Sequence, residues 1–155
     1  MGPDGSASQL AGRVFTFELS TNPIDTASLT AAFDDEGAGA CVVFEGRVRN
    51  RNEGRPVDLL EYEAYPQMAL AEGKAILAEA SQRFAVIGAR CIHRLGRLEI
   101  GNIAVWVAVL AEHRHEGFAA CRYIIDEVKS RVPIWKKEHY IDGDAAWVAP
   151  EPENR

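Results

Sequence analysis

Apolar and polar positions change period along this chain, and each change marks an element. Phe15, Phe17 and Leu19, led by Val14, alternate with Thr16 and Glu18, which predicts a strand. Asp25 is placed to cap a short helix running through Leu29 to Phe33. After a loop at Asp34, Asp35, Glu36 and Gly37, residues 40–48 read as a strand that begins buried (Cys41, Val42, Val43, Phe44) and turns basic. Residues 50–56 form a polar turn broken by Gly54 and Pro56. Residues 57–65 form a further strand carrying Leu59, Leu60, Tyr62 and Tyr65. A loop flanked by two such strands reads as a hairpin.

Pro66 then suits the first position of a helix, with Met68, Ala71, Ala75, Ala78 and Phe84 recurring near helical spacing. Strands are expected at 86–95 and 97–100 around Gly96, with a turn at Gly101 and Asn102. Residues 103–110, with Val105, Trp106, Val107 and Val109, have the composition of a central strand. Residues 115–132 make a second long helix with Phe118, Cys121, Ile124, Ile125 and Val128 as its buried stripe. Pro133 stops it. Residues 134–140 are extended or a turn; Asp142, Gly143 and Asp144 form a loop before Trp147 and Val148. The sum is one α+β domain over 13–148, with a mainly antiparallel sheet and two long helices. A polar arm (1–12) and an acidic tail (149–155) flank it.

The 155 residues suit a single domain, and 47% hydrophobic and 26% charged residues are ordinary for a globular chain. The net charge of −6 is local: residues 1–45 hold one arginine against seven carboxylates, and the remainder is balanced. That excludes a general nucleic-acid binder, and any anion must be met by local basic clusters. No segment resembles a signal peptide or a membrane span, so neither nucleic acid nor membrane is an expected partner. Three scattered cysteines without a CxxC, each in an apolar run, read as small buried hydrophobes and suit a cytoplasmic, reducing setting.

Four clusters could carry chemistry. In Arg47-Val48-Arg49-Asn50-Arg51, strand alternation would turn three arginines to one face, which needs an anion or simply charges a sheet edge. Glu112-His113-Arg114-His115 sits where the most apolar strand hands over to a helix, a place that favours anions; no further ligand is spaced to make His113 and His115 a metal site. Lys129 borders the apolar stripe of the last helix, where it can snorkel or move protons. Lys136 and Lys137 follow the rigid Pro133-Ile134-Trp135. No Ser-His-Asp set, phosphate-cradling glycine loop or CxxC is present. The chemistry open to the chain is therefore that of Lys, Arg and His: binding phosphate or carboxylate and moving protons.

These clusters stand in an order that resembles a known family. Phe44-Glu45-Gly46-Arg47-Val48-Arg49, Leu60-Glu61-Tyr62-Glu63-Ala64-Tyr65-Pro66-Gln67-Met68, His113-Arg114 with Phe118, Lys129, and Pro133-Ile134-Trp135-Lys136-Lys137-Glu138 are similar to the molybdopterin synthase large subunit, the MoaE family. Asp142-Gly143 and Trp147-Val148 fit as well, so the resemblance runs from Phe15 to Val148. It implies an α/β hammerhead fold and a homodimer. Each protomer would hold one small ubiquitin-like sulfur carrier, making a heterotetramer. The carrier's C-terminal Gly-Gly thiocarboxylate would enter a pocket and convert cyclic pyranopterin monophosphate to molybdopterin, with no cofactor and no metal. The resemblance makes Lys136 and Lys129 the catalytic pair. It makes Arg49, His113 and Arg114 the anion and proton-handling set and Phe44 a pocket wall, with Arg47 and Lys137 as further substrate contacts.

Two other readings compete. A silent module that captures a ubiquitin-like tail needs backbone donors and one or two cations, but not Lys129, His113 and Arg114 together. A metal-dependent phosphatase or nuclease wants a carboxylate cluster, and Asp34, Asp35 and Glu36 have no partners in the basic motifs.

Overall fold

The computed structural model describes residues 13–148 and 150; the expected N-terminal arm, and the tail apart from Pro150, lie outside the described residues. Three helices, α1 (Thr26–Ala32), α2 (Pro66–Arg83) and α3 (Arg114–Arg131), join nine strands: β1 (Phe15–Ser20), β2 (Ala40–Arg47), β3 (Arg51–Asn52), β4 (Arg55–Ala64), β5 (Gly88–Arg94), β6 (Gly96–Glu99), β7 (Ile103–Ala111), β8 (Ile134–Tyr140) and β9 (Ala145–Val148). The expected α+β class holds. One sheet runs β1-β5-β7-β2, the other β3-β4-β8-β9, with β6 also on β4. Only β1 with β5 is parallel among these pairs.

β7 organises the first sheet. It pairs with β5 on one edge and β2 on the other, and every residue from Ala104 to Ala111 is buried. Its side chains alternate between two cores. Val105, Val107 and Val109 join Phe17, Ala89, Cys91 and the faces of α2 and α3; Trp106, Ala108 and Leu110 join Ile92 and Phe33, with Leu29 of α1 packed on them. α1 starts as expected, with the Asp25 carboxylate accepting from the Ser28 N–H at 3.2 Å.

α3 begins just past the end of β7 and runs back along it. Gly117 lies where an added Cβ would come within 3.0 Å of Val42 and 3.6 Å of Ala111. Farther along the helix, Ile125, Val128 and Lys129 line one cavity with Ala104 and Val105, at the start of β7. Arg131 ties this end of α3 to α2, with Glu72 and Glu79 at 2.7 Å and Glu127 at 3.2 Å. Glu79 also accepts from the Tyr123 hydroxyl. Its carboxyl is held down to about 2, by the hydrogen bond from Arg131 first and that from Tyr123 second.

Several expectations fail for physical reasons. β2 and β4 do not make a hairpin; they sit in different sheets. The hairpin is β3–β4, because Glu53 (φ 49°) and Gly54 (φ 80°) form a two-residue turn that pairs only its immediate flanks. β2 is an edge strand, so Cys41 is exposed and Val43 is 38% exposed, whereas Cys91 and Cys121 are buried. The buried face of α2 is Ala69, Gly73, Ile76, Leu77 and Ala80, not the stripe through Met68, Ala71, Ala75 and Ala78. Phe118 on α3 is 62% exposed, and Gly117 and Ala120 take its place inside. In both helices small residues face the sheet because the backbones approach closely. Of the two alternatives for residues 134–140, the extended one holds, as a full strand.

Gly73 shows how close that approach is. A Cβ there would fall 2.1 Å from the Phe17 ring. Gly73→Ala should gain about 1 kcal/mol of helix propensity and lose roughly 3 kcal/mol to overpacking at so short a distance, for a net loss of about 2 kcal/mol. The check is the urea midpoint, and an unchanged or raised midpoint would contradict the packing described.

Candidate active site

The C-terminal end of α3, the start of β7, the end of β2 and strands β4, β5, β8 and β9 converge on one cavity of about 120 Å³. Arg47, Lys129 and Lys136 line it, with Tyr62, His93, Gly46 and Val148, and with Val105, Ile125 and Val128 as apolar floor. Three of the cations expected from the sequence therefore meet in one place. Each comes from a different element, and the topology alone makes them neighbours.

Each cation has a local reason for its position. Lys129 follows Ile125 by one helical turn, so it leaves the buried stripe of α3 at its open end. Two residues on, Arg131 anchors that end to α2. Lys136 lies on β8 opposite Tyr62 of β4, with its amine 3.4 Å from a Glu138 carboxylate that is only 3% exposed. Glu138 in turn accepts from Asn52 at 2.6 Å and from the Tyr140 hydroxyl. The Arg55 guanidinium stacks 3.8 Å over the Tyr140 ring and pairs with Asp142 and Asp144. A buried carboxylate so supplied with donors fixes one lysine amine from behind. Arg47 stands at a register shift in β2, pairing with Glu45 at 2.9 Å. Gly46 beside it leaves room, since a Cβ there would meet Val105 at 2.7 Å.

The other expected site residues lie elsewhere in this chain. β2 ends at Arg47, so the arginines do not share one strand: Arg49 follows in a loop and Arg51 opens β3. Both are exposed. Phe44 is half-buried and packs on the main core beside Gly46 rather than lining the cavity. Lys137 points to the opposite face of β8 from Lys136, its amine 5.5 Å from the Trp147 ring. His113 caps α3 and is 80% exposed, with Glu112 at 3.9 Å. Arg114, also exposed, is 15 residues before Lys129 on the same helix, about 22 Å away at 1.5 Å per residue.

Two cavity residues were not singled out in the sequence. Tyr62 and His93 meet edge to face, ring centroids 5.0 Å apart. His93 Nδ1 lies 2.7 Å from the Arg94 carbonyl oxygen, which can only accept, so this nitrogen carries the proton. Burial pushes the imidazole down to about 4, against the lift from that hydrogen bond, and the Lys129 charge lowers it further. The signal in the sequence was alternation: His93 continues the inward face of Ala89 and Cys91, an odd place for an imidazole. The thiols offer no reactive sulfur. Burial raises Cys91 and pushes Cys121 up to about 11, and Cys41 is raised by desolvation and then by Asp34. Among the described residues, no three His, Cys, Asp or Glu side chains gather as a metal site.

A family model described as MoaE protein matches residues 19–131. The chain belongs to the MoaE family. It is 44% identical over 135 residues to a molybdopterin synthase catalytic subunit from a Nostoc strain, covering 86% of this chain and 82% of that one. A crystal structure of molybdopterin synthase from Staphylococcus aureus superposes with a TM-score of 0.78 at 39% identity, covering 85% and 96% of the two chains. A protein–protein complex of subunits 1 and 2 of molybdopterin-converting factor from Helicobacter pylori shares the fold, with a TM-score of 0.71 at 20% identity over 88% and 92%. The MoaE match spans β2, both long helices and Lys129, and stops short of Lys136.

His93 gives the site a pH signature. Its native value, about 4, lies below the 6.5 of a free imidazole. Between these values the unfolded chain binds a proton that the native chain refuses. Stability is therefore full above pH 6.5 and is lost as pH falls toward 4, by up to about 1.4 kcal/mol per pH unit. Urea titrations between pH 7 and 5 should show this slope in the wild type and a flatter one in His93→Leu; equal slopes would contradict the burial of His93. The lowered carboxylates, such as Asp25 and Asp142, act below this window.

Proposed function

We propose that this chain is the catalytic subunit of a molybdopterin synthase. It transfers sulfur from the C-terminal thiocarboxylate of a small ubiquitin-like carrier to cyclic pyranopterin monophosphate, in molybdenum cofactor biosynthesis. The observation that carries the reading is the convergence of Lys129 and Lys136 in a cavity without a reactive thiol. Such a site can hold two anions and move protons, and its sulfur must come from outside. The carrier supplies it, so no cofactor is needed. Lys136, fixed by Glu138, meets the thiocarboxylate; Lys129 serves proton transfer at the pterin; Arg47 meets negative charge at the cavity mouth.

The cavity of about 120 Å³ is small against the roughly 300–1,000 Å³ of ordinary ligand sites. One chain thus encloses only part of a pterin phosphate. His113 and Arg114, some 22 Å along α3 from Lys129, reach the same substrate only from a second protomer. In this reading the homodimer completes each site, and two carriers make the heterotetramer. The compartment is the cytoplasm, in keeping with three free cysteines and with the absence, among the described residues, of any helix long and apolar enough to cross a membrane.

The test is reconstitution without added metal, using the purified chain, thiocarboxylated carrier and cyclic pyranopterin monophosphate, with product read as its fluorescent oxidised derivative. Lys136→Ala should lower kcat by about 100-fold or more with the fold retained, although its thermal midpoint should fall because the buried Glu138 carboxylate loses its cation. Normal turnover by that variant would remove Lys136 from the mechanism. Carrier binding with no product from the wild type would instead favour a silent tail-capture module.

A further inference from the structure

Asn52, in the β3–β4 hairpin, does not line the cavity, yet it holds the carboxylate that holds Lys136. Glu138 is 2% exposed, and its two oxygens have separate partners. One meets the Lys136 amine at 3.4 Å. The other accepts from the Asn52 amide at 2.6 Å and from the Tyr140 hydroxyl. The same amide nitrogen lies 3.2 Å from the Tyr140 hydroxyl oxygen, so the three groups close a triangle. Lys136, Glu138 and Tyr140 alternate along β8 and share one of its faces, whereas Asn52 reaches them from another strand. Its hairpin is seated independently of these bonds. The Val57 N–H donates to the Asn50 carbonyl at 2.8 Å. Arg55, paired with Asn52 in the ladder, stacks over the Tyr140 ring and binds Asp142 and Asp144.

We propose that Asn52 is a positioning residue for Lys136, acting through Glu138. The direction of each hydrogen bond follows from the groups that meet. An ionised carboxylate only accepts, so the amide turns its NH2, not its oxygen, toward Glu138. That NH2 also donates to the Tyr140 oxygen, which leaves the hydroxyl proton for Glu138. Two donors on one oxygen fix the plane of the carboxylate and leave the other oxygen to the Lys136 amine. Without them the carboxylate turns about its terminal torsion, whose preferences are broad, and the flexible lysine stem follows it. Asn52 does this without adding charge, so Glu138 alone sets how far the Lys136 cation is neutralised. The catalytic consequence rests on the sulfur-transfer reading; the positioning of the amine does not.

Two variants separate positioning from packing. Asn52→Ala removes the donor, whereas Asn52→Asp keeps the shape and puts an acceptor in its place. The position of the amine is read first without any reaction, by mass-spectrometric acetylation rates in the intact chain, with exposed Lys74 as internal standard. Lys136 in Asn52→Ala should acetylate several-fold faster than in the wild type, with Lys74 unchanged. In the reconstituted reaction Asn52→Ala should lose about tenfold or more in kcat, with KM for cyclic pyranopterin monophosphate within about twofold of the wild type. Asn52→Asp should be impaired at least as much at about pH 8, where two carboxylates oppose each other. Its kcat relative to the wild type should then rise several-fold toward about pH 6, because the pair takes up a proton and the protonated carboxyl donates as the amide did. The ratio for Asn52→Ala should stay flat over the same range. A flat ratio for Asn52→Asp would overturn the proposal, since it would mean packing alone. So would unchanged acetylation of Lys136 in Asn52→Ala. A wild-type chain that makes no product, while Lys136 acetylation responds as expected, would leave the link from Asn52 to Lys136 standing and sink the sulfur-transfer reading instead.

Discussion

The double pairing of β7 is the constraint on which the rest of the structure depends. A strand hydrogen-bonded on both edges and buried on both faces leaves the following segment one outlet, which is to return over the sheet. α3 does so, covering β7 and β2 with a seam of Gly117, Ala120, Cys121, Ile124, Ile125 and Val128. Its length then settles where chemistry can occur. The basic residues at its start stay at the far end of β7, while Lys129 is carried back to the strand's beginning. There β2 ends, β8 passes and the cavity opens. The separation of His113 and Arg114 from the two lysines is thus a consequence of topology, and it is the reason a second protomer enters the proposed site.

Holding cations together costs electrostatic energy, and the surroundings of the cavity meet that cost in different ways. Lys136 is paired with a buried carboxylate that Asn52 and Tyr140 supply with further hydrogen bonds. Arg47 is paired at the surface, where the contribution is small. The Arg131 network adds nothing to the cavity's charge but fixes the last turn of α3, two residues from Lys129. The acidic balance of the chain sits in its first 45 residues, and of these carboxylates Glu45 reaches the cluster, through Arg47. The site therefore keeps local positive charge within a chain of net charge −6, which suits two anionic guests.

Much of the fold was legible because its signals are local. The central strand announced itself through Val105 to Val109, and the helices through Pro66, Pro133 and their apolar spacing; Asp25 marked its own cap. What failed depended on neighbours far away in sequence. Cys41 and Val43 are as apolar as core residues, but only the pairing order makes β2 an edge. Ala71 and Ala75 read as a buried stripe until Gly73 is seen against Phe17, because alanine fits either side of a helix. The turn at Glu53 and Gly54 gave no two-residue signature strong enough to show that its partner was Arg51 and Asn52. At the site, single motifs were visible but not their grouping. Alternation alone separates Lys136 from Lys137 once 134–140 is known to be a strand, and it placed His93 on an inward face where it went unremarked. The distance between His113 and Lys129 was readable from helix length, since the sequence set them at opposite ends of the 115–132 helix, yet the resemblance grouped them at one substrate.

The measurement that tests the composite site most directly is a mixed dimer. Lys129→Ala and Arg114→Ala subunits carrying different tags would be co-expressed, purified through both tags and reconstituted with thiocarboxylated carrier and cyclic pyranopterin monophosphate. If lysines and arginine serve one substrate from different protomers, each homodimer is inactive and the mixed dimer has one intact site, with about half the wild-type turnover per dimer. A mixed dimer as inactive as its parents would contradict the account, since it would place Lys129 and Arg114 at one site within a single chain.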